Sequence, residues 1–270
     1  MRQIKAAIFD VDGTLFDYRS GSIPNSVVTA IQKLKDKGIV IVVATARAYP
    51  ELSEDLLDRI SADYYVAASG HSIQDKCGRT LFAFRFTYDQ VETVKNCAKK
   101  YGAGLTLRYE DCNCLYSHPV EMYQIYSNIG KPRCSSLYCE GMDYHKKSLP
   151  IGFAIKSESA IRAKICEELA AYPNDYRLEL FGNGVVVDVF SPHANKMTAL
   201  VQLMQRLGFA KDDCIAFGDG KNDIEMLKWA GIGVAMGNAN EDLKKYADDI
   251  CGPSWDDGIA NYLYGIQLID

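Results

Sequence analysis

The sequence predicts an α/β chain, a doubly wound parallel sheet with helices on both faces and an inserted α+β domain. Three observations predict it. Short β-branched runs alternate with helical segments at both ends of the chain. Acidic or hydroxyl residues stand just after several of those runs, where open α/β sheets hold their ligands. A Tyr- and Cys-rich stretch of different character separates the two alternating regions.

Ile4 to Phe9 is a short apolar run ending at a Gly-containing turn, the pattern of a buried strand. A helix is expected over Asn25 to Lys37, with Pro24 near its start and Gly38 just past its end. Ile39 to Ala44 is continuously apolar and β-branched, as in a parallel strand covered on both faces. A helix over Pro50 to Ile60 and a strand over Tyr64 to Ala68 follow. Near the C-terminus the pattern repeats. Helix Lys196 to Leu207, strand Cys214 to Phe217, helix Asp223 to Ala230 and strand Ile232 to Met236 lead to helix Glu241 to Tyr246 and a short strand near Ile250. This is the alternation of a Rossmann-like core built from residues 1–81 and 190–270.

Residues 82–189 form the insert. Its expected strands are Leu105 to Tyr109, Ile151 to Lys156, Arg177 to Phe181 and Val185 to Val189, with helices over Asp89 to Lys100 and Ser159 to Ala170. Gly182-Asn183-Gly184 between two apolar runs reads as a hairpin turn. Asp111 to Leu149 has no clear period.

Composition excludes several classes. A net charge of -5 without a basic run argues against nucleic acid or an anionic membrane surface as the main partner. No apolar run approaches the roughly 18 residues of a membrane span. The N-terminus has no signal-peptide pattern, so a cytoplasmic location is expected. Nine cysteines, an odd number, fit reduced thiols better than a full set of disulfides. Cys112, Cys114, Cys134 and Cys139, with His118 and His145 nearby, invite a zinc reading. Only the second pair has structural-zinc spacing, so free thiols are expected.

Two acidic loops carry the chemistry. In Asp10-Val11-Asp12-Gly13-Thr14-Leu15, two carboxylates at i and i+2 can face one site around a glycine bend. Like charges so close call for a divalent cation. Asp10 could then attack phosphorus, while Asp12 protonates the leaving alcohol and later activates water. An Asx-type turn is the structural alternative. In Gly218-Asp219-Gly220-Lys221-Asn222-Asp223, two carboxylates four apart at a loop-to-helix junction can point at one spot, and hard oxygens of this kind suit magnesium. Helix capping explains part of that pattern but not the Gly-Asp-Gly loop with a second acid one turn on. Thr45 at a strand end offers a hydroxyl to a phosphoryl oxygen, and Lys196 opening a helix offers charge neutralisation. Arg47 could touch substrate or pair with an acid. His71 is expected in an exposed loop.

Taken together, Asp10-x-Asp12-Gly13-Thr14, Thr45, Lys196 and Gly218-Asp219-Gly220-x-Asn222-Asp223 resemble the four motifs of the haloacid dehalogenase-like superfamily. Ala44-Thr45-Ala46-Arg47, with an insert between the second and third motifs, is similar to the Cof-type sugar phosphatases with a type IIB cap. The resemblance implies a phosphatase acting on small phosphorylated metabolites through an aspartyl-phosphate. Asp10 would be the nucleophile, Asp12 the acid/base, Thr45 a phosphoryl ligand and Lys196 the charge-neutralising lysine. It places Mg2+ on the Asp10 side chain, the Asp12 backbone carbonyl and Asp219, with Asp223 and Asn222 supporting, and substrate contacts at Thr45, Ala46, Arg47, Lys196 and Asn222. Ala46, Ser69-Gly70-His71 and Met197 depart from the usual pattern without removing a catalytic group. A phosphomutase, or a catalytically idle metabolite-binding protein, is the alternative.

Overall fold

The computed structural model describes residues 3–127, 136–181 and 184–270. In chain order the elements are β1 (Ala6–Phe9), α1 (Asn25–Asp36), β2 (Val40–Ala44), α2 (Glu54–Ile60), β3 (Tyr64–Ala67), β4 (Ser72–Asp75), β5 (Thr80–Ala83), α3 (Tyr88–Lys100), β6 (Gly104–Arg108), β7 (Asn113–Ser117), α4 (Pro119–Ser127) and β8 (Ser136–Tyr138). They continue with β9 (Gly152–Lys156), α5 (Ser159–Ala170), β10 (Arg177–Phe181), β11 (Val186–Phe190), α6 (Lys196–Leu207), β12 (Cys214–Gly218), α7 (Ile224–Trp229), β13 (Ile232–Ala235), α8 (Glu241–Lys244), β14 (Asp249–Ile250) and α9 (Gly258–Gly265). Two compact units result. One holds residues 1–46, 55–79 and 196–270; the other holds 47–54 and 80–195.

In the first unit the strands lie in the order β14-β13-β12-β1-β2-β3-β4. β1 is parallel to both β2 and β12, with Phe9 in register with Val43 and Phe217. Its four residues are fully covered, and so are those of β12, because helices close both faces. The Phe9 and Phe217 rings stack at 5.2 Å. Parallel alignment ends β1 and β12 at the same edge, so the loops that follow open side by side.

The second unit's sheet runs β10-β11-β9-β6-β7-β8. Side chains alternate across it. Leu105, Leu107, Cys114, Tyr116, Phe153, Ile155, Val187 and Val189 share a face and a core with Val91, Val94, Ile165 and Leu169 of α3 and α5. Thr106, Arg108, Asn113 and Asp188 point to the other face, as the pairings Thr106↔Ala154, Arg108↔Asn113 and Asp188↔Ala154 require.

Several local expectations shift. The helix expected over Pro50 to Ile60 is a 3-10 turn at Tyr49–Glu51 followed by α2, with Leu52 extended between them (φ -70°, ψ 136°). β7, α4 and β8 occupy the stretch without a period, and β4 and β5 were not anticipated. The turn at Gly182-Asn183-Gly184 lies partly outside the described residues, though β10 and β11 pair antiparallel. Cys134 also lies outside them; Cys112, Cys114 and Cys139 are free thiols. Among the described residues no helix is long and apolar enough to cross a membrane.

Candidate active site

Each acidic loop begins where its strand runs out of sheet partners. Asp10 follows β1, and its N–H still donates to the Phe217 carbonyl at 3.0 Å, so the first loop starts from a fixed point. The turn needs Gly13: its φ is +85°, and a Cβ there would sit 2.3 Å from Asp219 Oδ2. Gly218 is needed for a similar reason, since its Cβ would lie 2.6 Å from that of Asp223. The Thr14 hydroxyl donates to Asp219 Oδ1 at 3.3 Å, tying the two loops together. Asn238, just past β13, donates to the Gly13 carbonyl at 2.8 Å.

Lys196 is the hub. Its Nζ donates to Asp10 Oδ1 at 2.5 Å and to Asp223 Oδ1 at 2.7 Å, with the lysine only 2% exposed. The other Asp223 oxygen accepts the Asp219 and Gly220 N–H groups at 3.2 and 3.0 Å. Asp10, Asp219 and Asp223 offer carboxylate oxygens that all lie within 4.8 Å of one another.

Three carboxylates around one ammonium leave two negative charges in excess. Burial, then Asp223, push the Asp10 carboxyl upward against the pull of Lys196. Asp219 is raised to about 7 by burial and by Asp223. Burial opposes the charge on Lys196, but Asp10 and Asp223 outweigh it and raise the ammonium above its ordinary range. A cluster of hard oxygens with surplus negative charge fits a divalent cation such as magnesium.

The other sequence candidates fall in different places. The Asp12 carboxylate is outside that group of three; its Oδ1 accepts the Tyr18 hydroxyl at 2.6 Å. Thr45 is fully buried, its N–H donating to Val66 O at 2.9 Å and its carbonyl accepting the Ser69 N–H at 3.0 Å. Asn222 is exposed. Ala46 closes the first segment of the first unit, whereas Arg47, 7% exposed, opens the first segment of the second. His71 corrects an expectation: it is fully buried, with Nδ1 2.8 Å from the Ala68 carbonyl. The chain reaches it through left-handed backbone at Ala68 and Ser69, φ 49° and 51°.

Sequence reasoning missed a second charged cluster, in the second unit. Glu51 Oε1 accepts Arg108 Nε at 2.8 Å and Asn113 Nδ2 at 3.1 Å, while its Oε2 accepts the Ala48 N–H at 2.9 Å. Arg108 Nη1 also pairs with Asp188 Oδ1 at 2.9 Å. Burial raises Asp188 to about 6 in spite of Arg108. These residues are scattered along the chain; strand register brings Arg108, Asn113 and Asp188 to one face, and the 3-10 turn at Tyr49–Glu51 adds Glu51. Asn238, by contrast, had a legible signal: it is another polar residue just beyond a strand.

A haloacid dehalogenase-like hydrolase model matches residues 7–263. The 5-amino-6-(5-phospho-D-ribitylamino)uracil phosphatase YcsE of Bacillus subtilis is 28% identical over 261 residues, 95% of this chain and 93% of its own. A putative bifunctional phosphatase/peptidyl-prolyl cis-trans isomerase of Streptococcus pyogenes is 27% identical over 276 residues; the match takes in all of this chain but only 55% of that protein's length. Among solved structures, a haloacid dehalogenase-like hydrolase from Bacteroides thetaiotaomicron superposes with a TM-score of 0.87 at 21% identity, over 98% of this chain and 100% of that one. The motifs and the match over nearly the whole chain agree, and the chain belongs to the haloacid dehalogenase-like hydrolase family.

Proposed function

We propose that this hydrolase is a magnesium-dependent phosphatase that cleaves small phosphomonoesters through an aspartyl-phosphate on Asp10. The observation that carries the reading is the bridge from Lys196 Nζ to Asp10 and Asp223 at the ends of β1 and β12, with Asp219 alongside. A buried aspartate needs a cation beside it to stay ionised and nucleophilic, and Lys196 is in contact with it.

Asp10 attacks phosphorus in line as the bond to the leaving oxygen breaks, and Asp12 delivers a proton to that oxygen. Asp12 then takes a proton from the water that hydrolyses the aspartyl-phosphate, restoring both groups. Thr45 donates to a phosphoryl oxygen. The Asp10 and Asp219 carboxylates and the Asp12 carbonyl would hold Mg2+, with Asp223 supporting. The ion when bound supplies charge neutralisation for the phosphate dianion. The YcsE relationship supports a small phosphorylated metabolite as substrate. We assign substrate choice to the inserted residues 82–189, supported by the polar sheet face that their own core does not use.

The test is phosphate release from a panel of sugar, nucleotide and cofactor-precursor phosphates, with Mg2+ or EDTA, for wild type and Asp10→Asn. Turnover that needs Mg2+ and falls by at least about 10³-fold in the variant is expected. Equal release by the variant would rule out Asp10 as nucleophile.

A further inference from the structure

Tyr18 stands three residues past the first acidic loop and has no part in the catalytic steps. Tyr18 is 64% exposed, so its ring adds little to the core and its hydroxyl is what ties it to the site. The hydroxyl donates to Asp12 Oδ1 at 2.6 Å, within the range of well-formed O–H···O hydrogen bonds.

The loop is built to present it there. The Phe16 N–H donates to the Val11 carbonyl at 2.8 Å and the Gly13 N–H to the Phe16 carbonyl at 3.1 Å, folding the chain back past Asp12. Asp17, 4% exposed, accepts the Arg19 and Ser20 N–H groups at 2.9 and 3.0 Å, which fixes the turn just after Tyr18. The Tyr18 ring meets the Phe16 ring edge-on at 5.5 Å. The next side chain is anchored too: the Arg19 guanidinium lies 3.4 Å from the Trp255 ring centroid. An exposed tyrosine on a free loop would sample many rotamers; this one is braced on both sides.

We propose that Tyr18 is a positioning residue for Asp12, its phenol orienting the carboxyl that protonates the leaving oxygen. The proposal rests on the assignment of Asp12 as general acid. As the Asp10 oxygen bonds to phosphorus and the ester P–O bond breaks, the Asp12 proton passes to the departing oxygen. Tyr18 gives up no proton; it holds the donor in line. Its contribution therefore scales with how much the leaving group needs that proton. An alkoxide needs it, and a 4-nitrophenolate does not.

The experiment compares kcat/KM for the best alkyl phosphate of the panel and for 4-nitrophenyl phosphate, in wild type, Tyr18→Phe and Asp12→Ala. kcat/KM reports transfer to Asp10 and not hydrolysis of the intermediate. Phenylalanine keeps the ring against Phe16 and removes only the hydroxyl. Tyr18→Phe is expected to lose about tenfold on the alkyl ester and stay within about twofold on the aryl ester, with Asp12→Ala showing the same split more strongly. Equal loss on both esters, or none on either, would overturn the role of Tyr18, because a merely structural effect does not sense the leaving group. An Asp12→Ala variant without the split would instead remove Asp12 as general acid, and the proposal with it. A split in Asp12→Ala alone leaves Asp12 in place and overturns only Tyr18.

Discussion

Among the described residues each unit holds a buried cation between two carboxylates, and the two arrangements differ in the charge they leave unbalanced. Lys196 lies between Asp10 and Asp223, with Asp219 as a third carboxylate nearby. Arg108 lies between Glu51 and Asp188, with the Asn113 amide completing the bonds to Glu51. The guanidinium is a planar fork and serves two partners in fixed directions. The ammonium is a compact charge that leaves oxygens of its neighbours for something else. The Arg108 cluster carries one negative charge in excess, which protonation of Asp188 near pH 6 relieves. The Lys196 cluster carries two, which suits a divalent ion. The Arg108 cluster can reach neutrality by taking one proton, whereas the Lys196 cluster keeps a surplus that matches the charge of a divalent ion.

The largest expected effect tests the Arg108 cluster. Arg108→Met strands Glu51 and Asp188 without a cation and should cost about 3–5 kcal/mol in denaturant unfolding. Adding Mg2+ should not restore it. A loss under 1 kcal/mol would mean that water already serves those carboxylates, and the contrast with Lys196 would fail.

Next comes metal binding at the Lys196 cluster. Mg2+ at about 100 times its Kd should stabilise the wild-type protein by about 2.7 kcal/mol, read as a higher thermal midpoint, and should do far less for Asp219→Asn. With Asp219 raised to about 7, binding at pH 6.5 should also release protons, measurable by calorimetry in buffers of different ionisation enthalpy. Equal stabilisation of the variant would place the ion elsewhere.

The smallest effect concerns Asp188. Its folded pKa, about 6, lies above its ordinary value of 3.8, so the folded state binds the proton more tightly. The resulting stability is fully present below about pH 4 and is lost as pH rises through 6. Asp188→Asn should flatten this part of the stability profile, a difference on the order of 2 kcal/mol between pH 4 and 7. Parallel wild-type and variant profiles would show that Arg108 keeps Asp188 ionised throughout.

How much could be read in advance follows the same contrast. Asp10, Lys196, Asp219 and Asp223 each belong to a motif beside a strand or helix end, so their convergence could be inferred from the parallel sheet. Tyr18 gave no signal, since an aromatic residue eight positions past the nucleophile has no period or spacing to mark it. The helix expected over Pro50 to Ile60 breaks because Glu51 is tied to the nearby Ala48 and to Arg108 and Asn113, which lie on β6 and β7 more than 50 residues along the chain.

The sequence by itself determined the parallel α/β core, the order of its motifs and the residues of the Lys196 cluster. Strand periodicity and loop chemistry are local, and the sheet carries local order into space. Tertiary structure alone decided that residues 47–54 group with the second unit, that His71 is buried and that Arg108 takes Glu51 and Asp188 as partners. Such pairings depend on strand register and on which polar groups are left to satisfy one another once the core is buried, and neither is written in any short stretch of the chain.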